Sequence, residues 1–289
     1  MEKSELTLWR PIGISKGIGP SQKCLYGLWV SSAGASVAKQ NPLKSIYISY
    51  IDHSVIEFLR SNKQIWDRNG TDLEFNVHID EIKDVQPIWD VFTHEIWPVF
   101  ATNIRHLYFS DGDQLDNLRR RTSPTLLTDL DQLHSIDSNY LLPDVIADDG
   151  PDASAGQALS KWLYTPKTDG HLKELRCNGY LGSPTLEWIN NFKEAFLRAT
   201  TSVSYHIQLC FLKVTKMPNE PFELVNERTN EKLTLIVSKA SYYNWVLKRC
   251  PIIVGETATV QWENDGNPDA NLNNVTFVLN VDTNCVGPL

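Results

Sequence analysis

Between residues 45 and 212 two kinds of pattern follow each other along the chain. Short runs alternate apolar and polar residues, and longer runs between them have helical periodicity. In residues 73–79 (LEFNVHI) every second residue is apolar, which is typical of a strand with one buried face. Residues 54–66 instead repeat apolar side chains every three or four positions, and Ser54 stands where an N-cap is expected. The pattern predicts six strand–helix steps of roughly 28 to 38 residues each, as in a parallel repeat architecture.

The pattern changes after Pro218. Three β runs, residues 222–225, 233–237 and 243–248, are separated by polar turns, and residues 275–281 add a final strand. The predicted fold class is therefore α/β: a curved, leucine-rich-repeat-like array of strands and helices with a C-terminal antiparallel β meander. Its predicted parts are a Gly/Pro-rich N-terminal segment, residues 1–40, a strand–helix repeat domain, residues 41–212, and a β meander cap, residues 213–289.

The charge balance argues against nucleic acid as a partner. The 289 residues include 35 acidic and 27 basic side chains, for a net charge of −8. The densest basic run, Arg119–Arg121, is too short to neutralise a phosphate backbone. No apolar run approaches the ~20 residues that a membrane span needs, so we expect no membrane partner either.

The cysteines favour an intracellular protein. An odd number of widely scattered thiols predicts neither a disulfide framework nor a zinc cluster, so we expect reduced thiols in the cytoplasm or nucleus. Residues 24–38 resemble a short signal peptide, but acidic residues and prolines precede them, which leaves secretion as a minor alternative. The glycosylation triplets at Asn69 and Asn274 matter only in that case. The five cysteines are Cys24, Cys177, Cys210, Cys250 and Cys285.

Three histidines, His78, His106 and His134, recur at intervals of 28 residues. On adjacent parallel strands the outer two would lie almost 10 Å apart, since neighbouring strands are about 4.8 Å apart. Ligands of one zinc ion must approach within about 4 Å of each other. The spacing therefore predicts histidines on neighbouring strands without a metal, and we expect no cofactor.

Two further segments match the residue pattern of a catalytic or a calcium-binding motif, but neighbouring residues that each motif requires are missing. Gly13–Gly17 reads G-x-S-x-G, but prolines and glycines flank Ser15 where a strand and a helix are needed. In residues 148–159, Leu159 stands where a calcium loop needs its bidentate glutamate. We expect this acidic loop to cap the following helix through Asp152 or Ser154. A hydrolase that uses Ser15 stays an alternative, but the sequence predicts no enzyme.

Several segments resemble the region that follows the F-box in an expanded family of F-box proteins from plant-parasitic nematodes. The similarity spans roughly residues 45 to 252, and the order of its segments makes it fairly specific. The segments are residues 48–75 (ISYIDHSVIEFLRSNKQIWDRNGTDLEF), 95–111, 121–133, 147–177, 192–200, 221–235 (PFELVNERTNEKLTL) and 244–252 (NWVLKRCPI).

This resemblance implies a substrate-recognition region of a cullin–RING ubiquitin ligase, whose F-box docks on a Skp-type adaptor while the repeat region receives the protein to be ubiquitinated. Glycines and prolines in residues 1–40 are incompatible with a compact three-helix F-box, so an F-box is expected only upstream of Met1. The tail after Cys250 also departs from the family, which usually carries a more charged, helix-forming run there. The alternative is a secreted or host-delivered effector that binds a host protein and has no role in ubiquitination.

Either interpretation predicts a non-enzymatic protein-interaction domain. Polar residues at exposed strand positions are the candidate contacts, since repeat proteins bind through such a face. These candidates are Glu74, Asn76, His78, Tyr108, Glu174, Arg176, His206 and Gln208.

Overall fold

The computed structural model describes twelve stretches of the chain: residues 9–12, 28–32, 43–48, 53–63, 71–76, 86–109, 111–167, 172–179, 186–211, 220–237, 244–252 and 275–280. The chain divides into two compact units. The first comprises residues 1–108 and 271–289, and the second comprises residues 109–270. Strands and helices occur in both, so the predicted mixed α/β class is confirmed. The curved repeat array and the three-part domain division stay predictions.

The strands within the described stretches are β1 Trp9–Ile12, β2 Leu28–Ser32, β3 Leu43–Ile48, β4 Thr71–Asn76, β5 Ile104–Phe109, β6 Ser135–Asn139, β7 Lys173–Gly179, β8 Tyr205–Phe211, β9 Phe222–Asn226, β10 Glu231–Val237, β11 Asn244–Pro251 and β12 Val275–Asn280. The α-helices are α1 His53–Ser61, α2 Gln86–Val91, α3 Trp97–Phe100, α4 Gly112–Arg121, α5 Leu126–Asp129, α6 Ala155–Tyr164 and α7 Leu186–Arg198. A π-helical turn, Phe92–Ile96, joins α2 to α3, and a 3-10 turn, Ala101–Asn103, leads from α3 to β5.

The first unit contains the strand order β1-β2-β3-β12-β4-β5, with β5 counted up to Tyr108. Strand β12 pairs in parallel with β3 on one side and β4 on the other, with Phe277 opposite Ile46 and Leu73. This placement corrects the sequence prediction, which made β12 the last strand of the C-terminal meander. Pairing across about 200 residues of chain leaves no local signal in the sequence, whereas hairpin pairing does.

The sequence of residues 87–100, with Trp89, Phe92 and Phe100 as aromatic anchors, predicts a helix; this helix is present but contains the π-helical turn. The Thr93 hydroxyl donates to the Trp89 carbonyl at 2.8 Å, which competes with the regular backbone bonds of this turn. Buried aromatic rings still form the core of this segment, with the rings of Trp89 and Phe92 6.2 Å apart and nearly perpendicular. The aromatic anchoring that the sequence predicts is therefore confirmed, while the change in helical pitch has no signal in the apolar spacing.

The second unit is built around the strand order β6-β7-β8-β11-β10-β9. Strands β6, β7 and β8 run parallel, and each of β11, β10 and β9 is antiparallel to its neighbour in this order. The three β runs predicted at residues 222–225, 233–237 and 243–248 are therefore present as the antiparallel strands β9, β10 and β11. The predicted boundary at residue 212 lies inside this unit, because β8 pairs directly with β11.

Helices α6 and α7 lie against one face of this sheet. The rings of Tyr164 on α6 and Tyr205 on β8 are 6.1 Å apart, and the Arg249 guanidinium on β11 lies 5.3 Å from the ring centroid of Phe196 on α7. Many of the strand residues that face the helices are apolar and buried, including Leu175, Ile207 and Leu233. Burial of this face supplies the main driving force for folding of the unit.

The acidic loop before α6 caps that helix as expected. Ser154 is the N-cap: its hydroxyl accepts from the Gln157 N–H, while the Gln157 side chain accepts from the Ser154 N–H. Arg119, which belongs to the basic run in the sequence, is buried and donates to the carbonyls of Ala153 at 2.7 Å and Gly150 at 3.1 Å. This arginine therefore holds the loop instead of contributing to a basic surface.

Candidate functional site

The sheet of the second unit has a second face, opposite the one that α6 and α7 contact. We call it the exposed face, because each of its described side chains is at least partly exposed and none is buried. Its residues are Ser135, Asp137 and Asn139 on β6, Glu174, Arg176 and Asn178 on β7, His206, Gln208 and Cys210 on β8, Val246, Lys248 and Cys250 on β11, Lys232, Thr234 and Ile236 on β10, and Glu223 and Val225 on β9.

A polar ladder crosses three parallel strands in the middle of this face. Asp137, Arg176 and Gln208 stand directly opposite one another in the register of β6, β7 and β8. The Arg176 guanidinium donates to the Asp137 carboxylate at 3.0 Å through Nη1 and to Gln208 Oε1 at 3.2 Å through Nε. Because both bonds lie along the ladder, the guanidinium is held across the strands in one orientation.

His206 lies in the next row of the exposed face, between Glu174 on β7 and Lys248 on β11. Its Nε2 is buried and has no hydrogen-bond partner among the residues that the structure describes. Burial, together with the positive charges of Lys248 and Arg176, lowers the pKa of His206 to about 4. The imidazole is therefore neutral at physiological pH, and it places a desolvated polar nitrogen within a charged row.

The exposed face becomes more apolar towards β9 and β10. Val225 is 48% exposed and Ile236 is 50% exposed. The Lys232 ammonium lies 3.6 Å from the Glu223 carboxylate in the same region. Charged and apolar side chains thus alternate over this end of the sheet.

The helix-covered face also carries charges, but they are buried and saturated with partners. Arg249 Nη2 donates to Glu231 Oε2 at 2.6 Å, and the other oxygen of Glu231 accepts from the Val203 N–H at 2.8 Å. Burial raises the pKa of Tyr205 and raises that of Tyr164 to about 12. This cluster holds the chain after α7 against the sheet. Because its charged groups bond to partners inside the fold, we interpret the cluster as structural.

A buried lysine on the same covered face caps α6. The Lys173 ammonium donates to the carbonyls of Trp162 and Thr165 at the C-terminal end of that helix, where a positive charge is favoured. It also lies 5.2 Å from the ring centroid of Trp162. Its role is therefore explained by the helix end that it stabilises.

Four of the residues predicted as contacts, Glu174, Arg176, His206 and Gln208, lie together on the exposed face. Tyr108 is half-buried on β5 in the first unit. Glu74 and Asn76 belong to β4, of which only the backbone is described, and His78 lies outside the described residues.

Sequence reasoning missed Asp137 and Lys248. Both residues stand in strand-like runs, at alternate positions that could have marked them as exposed. Only the pairing of β6 with β7, and of β11 with β8, shows that they join the same surface. The missing information was strand order, not residue type.

The prediction that the three histidines lie on neighbouring strands stays a prediction, because they are only partly described. His106 lies on β5 in the first unit, His134 precedes β6 in the second, and His78 is not described. His134 Nδ1 lies 3.2 Å from the Lys167 ammonium. Within the described part of the chain, no group of three or more His, Cys, Asp or Glu side chains is arranged to hold a metal ion.

Other sequence features have a limited structural counterpart. Cys177, Cys210 and Cys250 carry free thiols, and burial raises the pKa of Cys177 and Cys210. Ser15 and the two glycosylation triplets lie outside the described residues. Among the helices described, none combines the length and apolar character that crossing a bilayer requires.

The second unit is thus a mixed α/β unit with one helix-covered and one exposed sheet face. Compared with known proteins, the chain matches no protein-family model, no curated protein and no solved structure.

Proposed function

We propose that this chain is a non-enzymatic protein-interaction domain and that its second unit binds a partner protein on the exposed face. The observation that carries the proposal is the polar ladder of Asp137, Arg176 and Gln208, which is ordered by its own hydrogen bonds. Side chains that are already ordered lose less conformational entropy when a partner binds. Arginine is also among the residues enriched in protein interfaces.

The size of the exposed face supports the same function. Six strands spaced by about 4.8 Å span about 24 Å, and strands of five to eight residues are roughly 17 to 26 Å long. The face therefore offers several hundred Å², comparable with the ~800 Å² that one protein contributes to a stable complex. Its mixed charges give a partner both attractive and repulsive contacts, which provides specificity.

We further propose that the chain acts as the substrate-recognition region of an F-box-type ubiquitin ligase subunit, built as a curved strand–helix repeat. The ordered set of segments between residues 45 and 252 supports this finer proposal. In this setting the exposed face would receive the protein to be ubiquitinated. A connection to a Skp-type adaptor would depend on an F-box upstream of Met1.

The test is a pull-down with the full chain and a matched pair of arginine variants. Arg176→Ala removes the centre of the polar ladder, whereas Arg198→Ala removes an exposed arginine from α7 on the helical side. We expect a partner that the wild type and Arg198→Ala retain and that Arg176→Ala loses by about tenfold or more. Equal recovery by all three proteins, or no partner at all, would exclude this surface. Co-recovery of a Skp-type adaptor would support the ligase connection.

A further inference from the structure

Strand β9 is the last strand in the order of the second unit's sheet. Among the described residues it pairs with β10 alone, through a register that runs from Phe222 opposite Leu235 to Asn226 opposite Glu231. An edge strand presents a row of backbone N–H and C=O groups that another chain can pair with. Proteins protect such edges with prolines, bulges, charged side chains or short strands. Strand β9 has five residues and follows Pro221, but it contains no proline itself and its register with β10 is regular.

The backbone bonds of the neighbouring hairpin show which groups of β9 point outward. The Ile252 N–H donates to the Asn230 carbonyl, so residue 230 and every second residue of β10 after it direct their backbone towards β11. Glu231, Leu233 and Leu235 therefore direct theirs towards β9, where they meet Asn226, Leu224 and Phe222. By the same alternation, the backbone groups of Glu223 and Val225 point away from the sheet.

The two sides of β9 differ in chemistry. On the exposed face, Glu223 and Val225 alternate, and the neighbouring Glu220 and Glu227 are also exposed. On the helical side, Phe222 and Leu224 are only half-buried, and the Lys193 ammonium of α7 lies 4.1 Å from the ring centroid of Phe222. Within β9 itself the charged residue is Glu223, which lies 3.6 Å from Lys232, and the whole chain has a net charge of −8.

We propose that an extended segment of the partner protein adds to β9 as a further strand of this sheet, in which basic and apolar residues alternate. This proposal rests on the proposed function and names the way in which the partner binds. Backbone pairing with Glu223 and Val225 supplies affinity, as in strand addition generally. Basic side chains of the segment meet Glu223, and its apolar side chains complete the burial of Phe222 and Leu224.

The probe is a capped peptide of about seven residues that alternates lysine and valine, with a glutamate–valine peptide of the same length as the charge control. We expect saturable binding of the lysine peptide, measured by fluorescence anisotropy, to be about tenfold tighter than that of the glutamate peptide at low salt. Methylation of alternate backbone nitrogens of the lysine peptide should abolish binding, because strand pairing needs those N–H groups. No saturable binding, or equal binding of both peptides, would overturn the proposal.

Val225→Pro tests the strand edge directly. It removes an outward N–H while leaving the bonds between β9 and β10 in place, and proline is compatible with an edge strand. We expect this variant to fold, as judged by circular dichroism, and to bind the lysine peptide about tenfold or more weakly than wild type. The matched control is Val225→Thr, which retains the N–H and should bind within about twofold of wild type.

The two proposals fail in different ways. If Val225→Pro binds the peptide like wild type, strand addition is wrong, even when Arg176→Ala still loses the partner protein. If neither variant changes partner recovery, the exposed face itself is wrong. Concentration-dependent dimerisation that Val225→Pro abolishes, without competition from the lysine peptide, would identify a second copy of this chain as the occupant and overturn the proposed partner chemistry.

Discussion

The two faces of the second unit's sheet differ in the number and the burial of their charged side chains: three lie on the helix-covered face and six on the exposed face. On the helix-covered face, Glu231, Arg249 and Lys173 are almost completely buried, and they bond to backbone groups, to one another and to the Ser202 hydroxyl. On the exposed face, the Arg176 and Asp137 side chains keep 26% and 16% of their surface accessible. The covered charges are fully explained by the fold, whereas those of the exposed face can still contact another molecule.

This difference separates structural polar residues from candidates for recognition. Burying a charge is unfavourable unless its hydrogen bonds are satisfied, so the covered cluster must be complete for the unit to fold. A half-exposed ladder is not under that requirement, because water can replace its bonds. We therefore expect substitutions on the helix-covered face to cause large losses of stability. Substitutions on the exposed face should instead cause losses of partner binding.

The largest effect is expected for Glu231→Ala. It leaves the Arg249 guanidinium buried without its carboxylate and removes the acceptor of the Val203 N–H. We expect the free energy of unfolding to fall by about 3–5 kcal/mol, measured by urea denaturation. Glu194→Ala is the control, since its pair with Arg198 on α7 is exposed and contributes less than about 1 kcal/mol. Equal losses for the two variants would contradict the comparison.

The next effect concerns pH and His206. In the unfolded chain this histidine takes up a proton near pH 6.5, whereas in the folded protein burial, together with the charges of Lys248 and Arg176, lowers its pKa to about 4. The unfolded state therefore binds more protons in this window, and stability falls as the pH drops from about 6.5 towards 4. We expect His206→Gln to remove roughly 2–3 kcal/mol of this dependence. Urea titrations of both proteins at several pH values measure the difference, and parallel pH profiles would show that His206 titrates normally.

A smaller loss is expected for Lys173→Met. The variant keeps the length of the side chain but leaves the Trp162 and Thr165 carbonyls without their donor at the end of α6. We expect a loss of about 2 kcal/mol in the free energy of unfolding. Lys161→Met, at an exposed position in the same helix, serves as the control and should cost less than about 0.5 kcal/mol. A neutral Lys173→Met would mean that the cap contributes nothing.

The smallest effect on stability is expected on the exposed face. Arg176→Ala loses the bonds to Asp137 and Gln208, but solvent can reach the groups that remain. We expect a loss of about 1 kcal/mol or less, and a double-mutant cycle with Asp137→Ala should give a coupling of about 0.5–1 kcal/mol. A loss as large as that of Glu231→Ala would place this ladder among the structural residues and remove the contrast between the faces.

Local elements were largely predictable from the sequence. The amphipathic spacing of residues 186–200 predicts a helix, which is α7, Leu186–Arg198, and the helical run after the acidic loop predicts a helix ending near residue 164, which ends at Tyr164. The capping residue was narrowed to Asp152 or Ser154, and the structure selects Ser154. These predictions succeed because amphipathic spacing and capping residues act within a few positions of the chain.

Long-range arrangements were not predictable in the same way. The parallel position of β12 between β3 and β4, and the pairing of Glu231 with Arg249, each join segments that carry no mutual signal in one sequence. For the candidate site, alternation along β7 and β8 identified four of the exposed residues. It could not identify Asp137 as the carboxylate partner of Arg176, because that contact depends on which strand lies beside β7.

The most direct test of the central claim is a lysine-acetylation footprint of the complex with the recovered partner. Lys232 and Lys248 lie on the exposed face, whereas Lys161 is exposed on α6 of the helical side. We expect the partner to slow acetylation of Lys232 and Lys248 by about fivefold or more and to leave Lys161 unchanged, because only buried amines are shielded. Protection of Lys161, with Lys232 and Lys248 labelled as in the free chain, would place the partner on the helices and contradict the account.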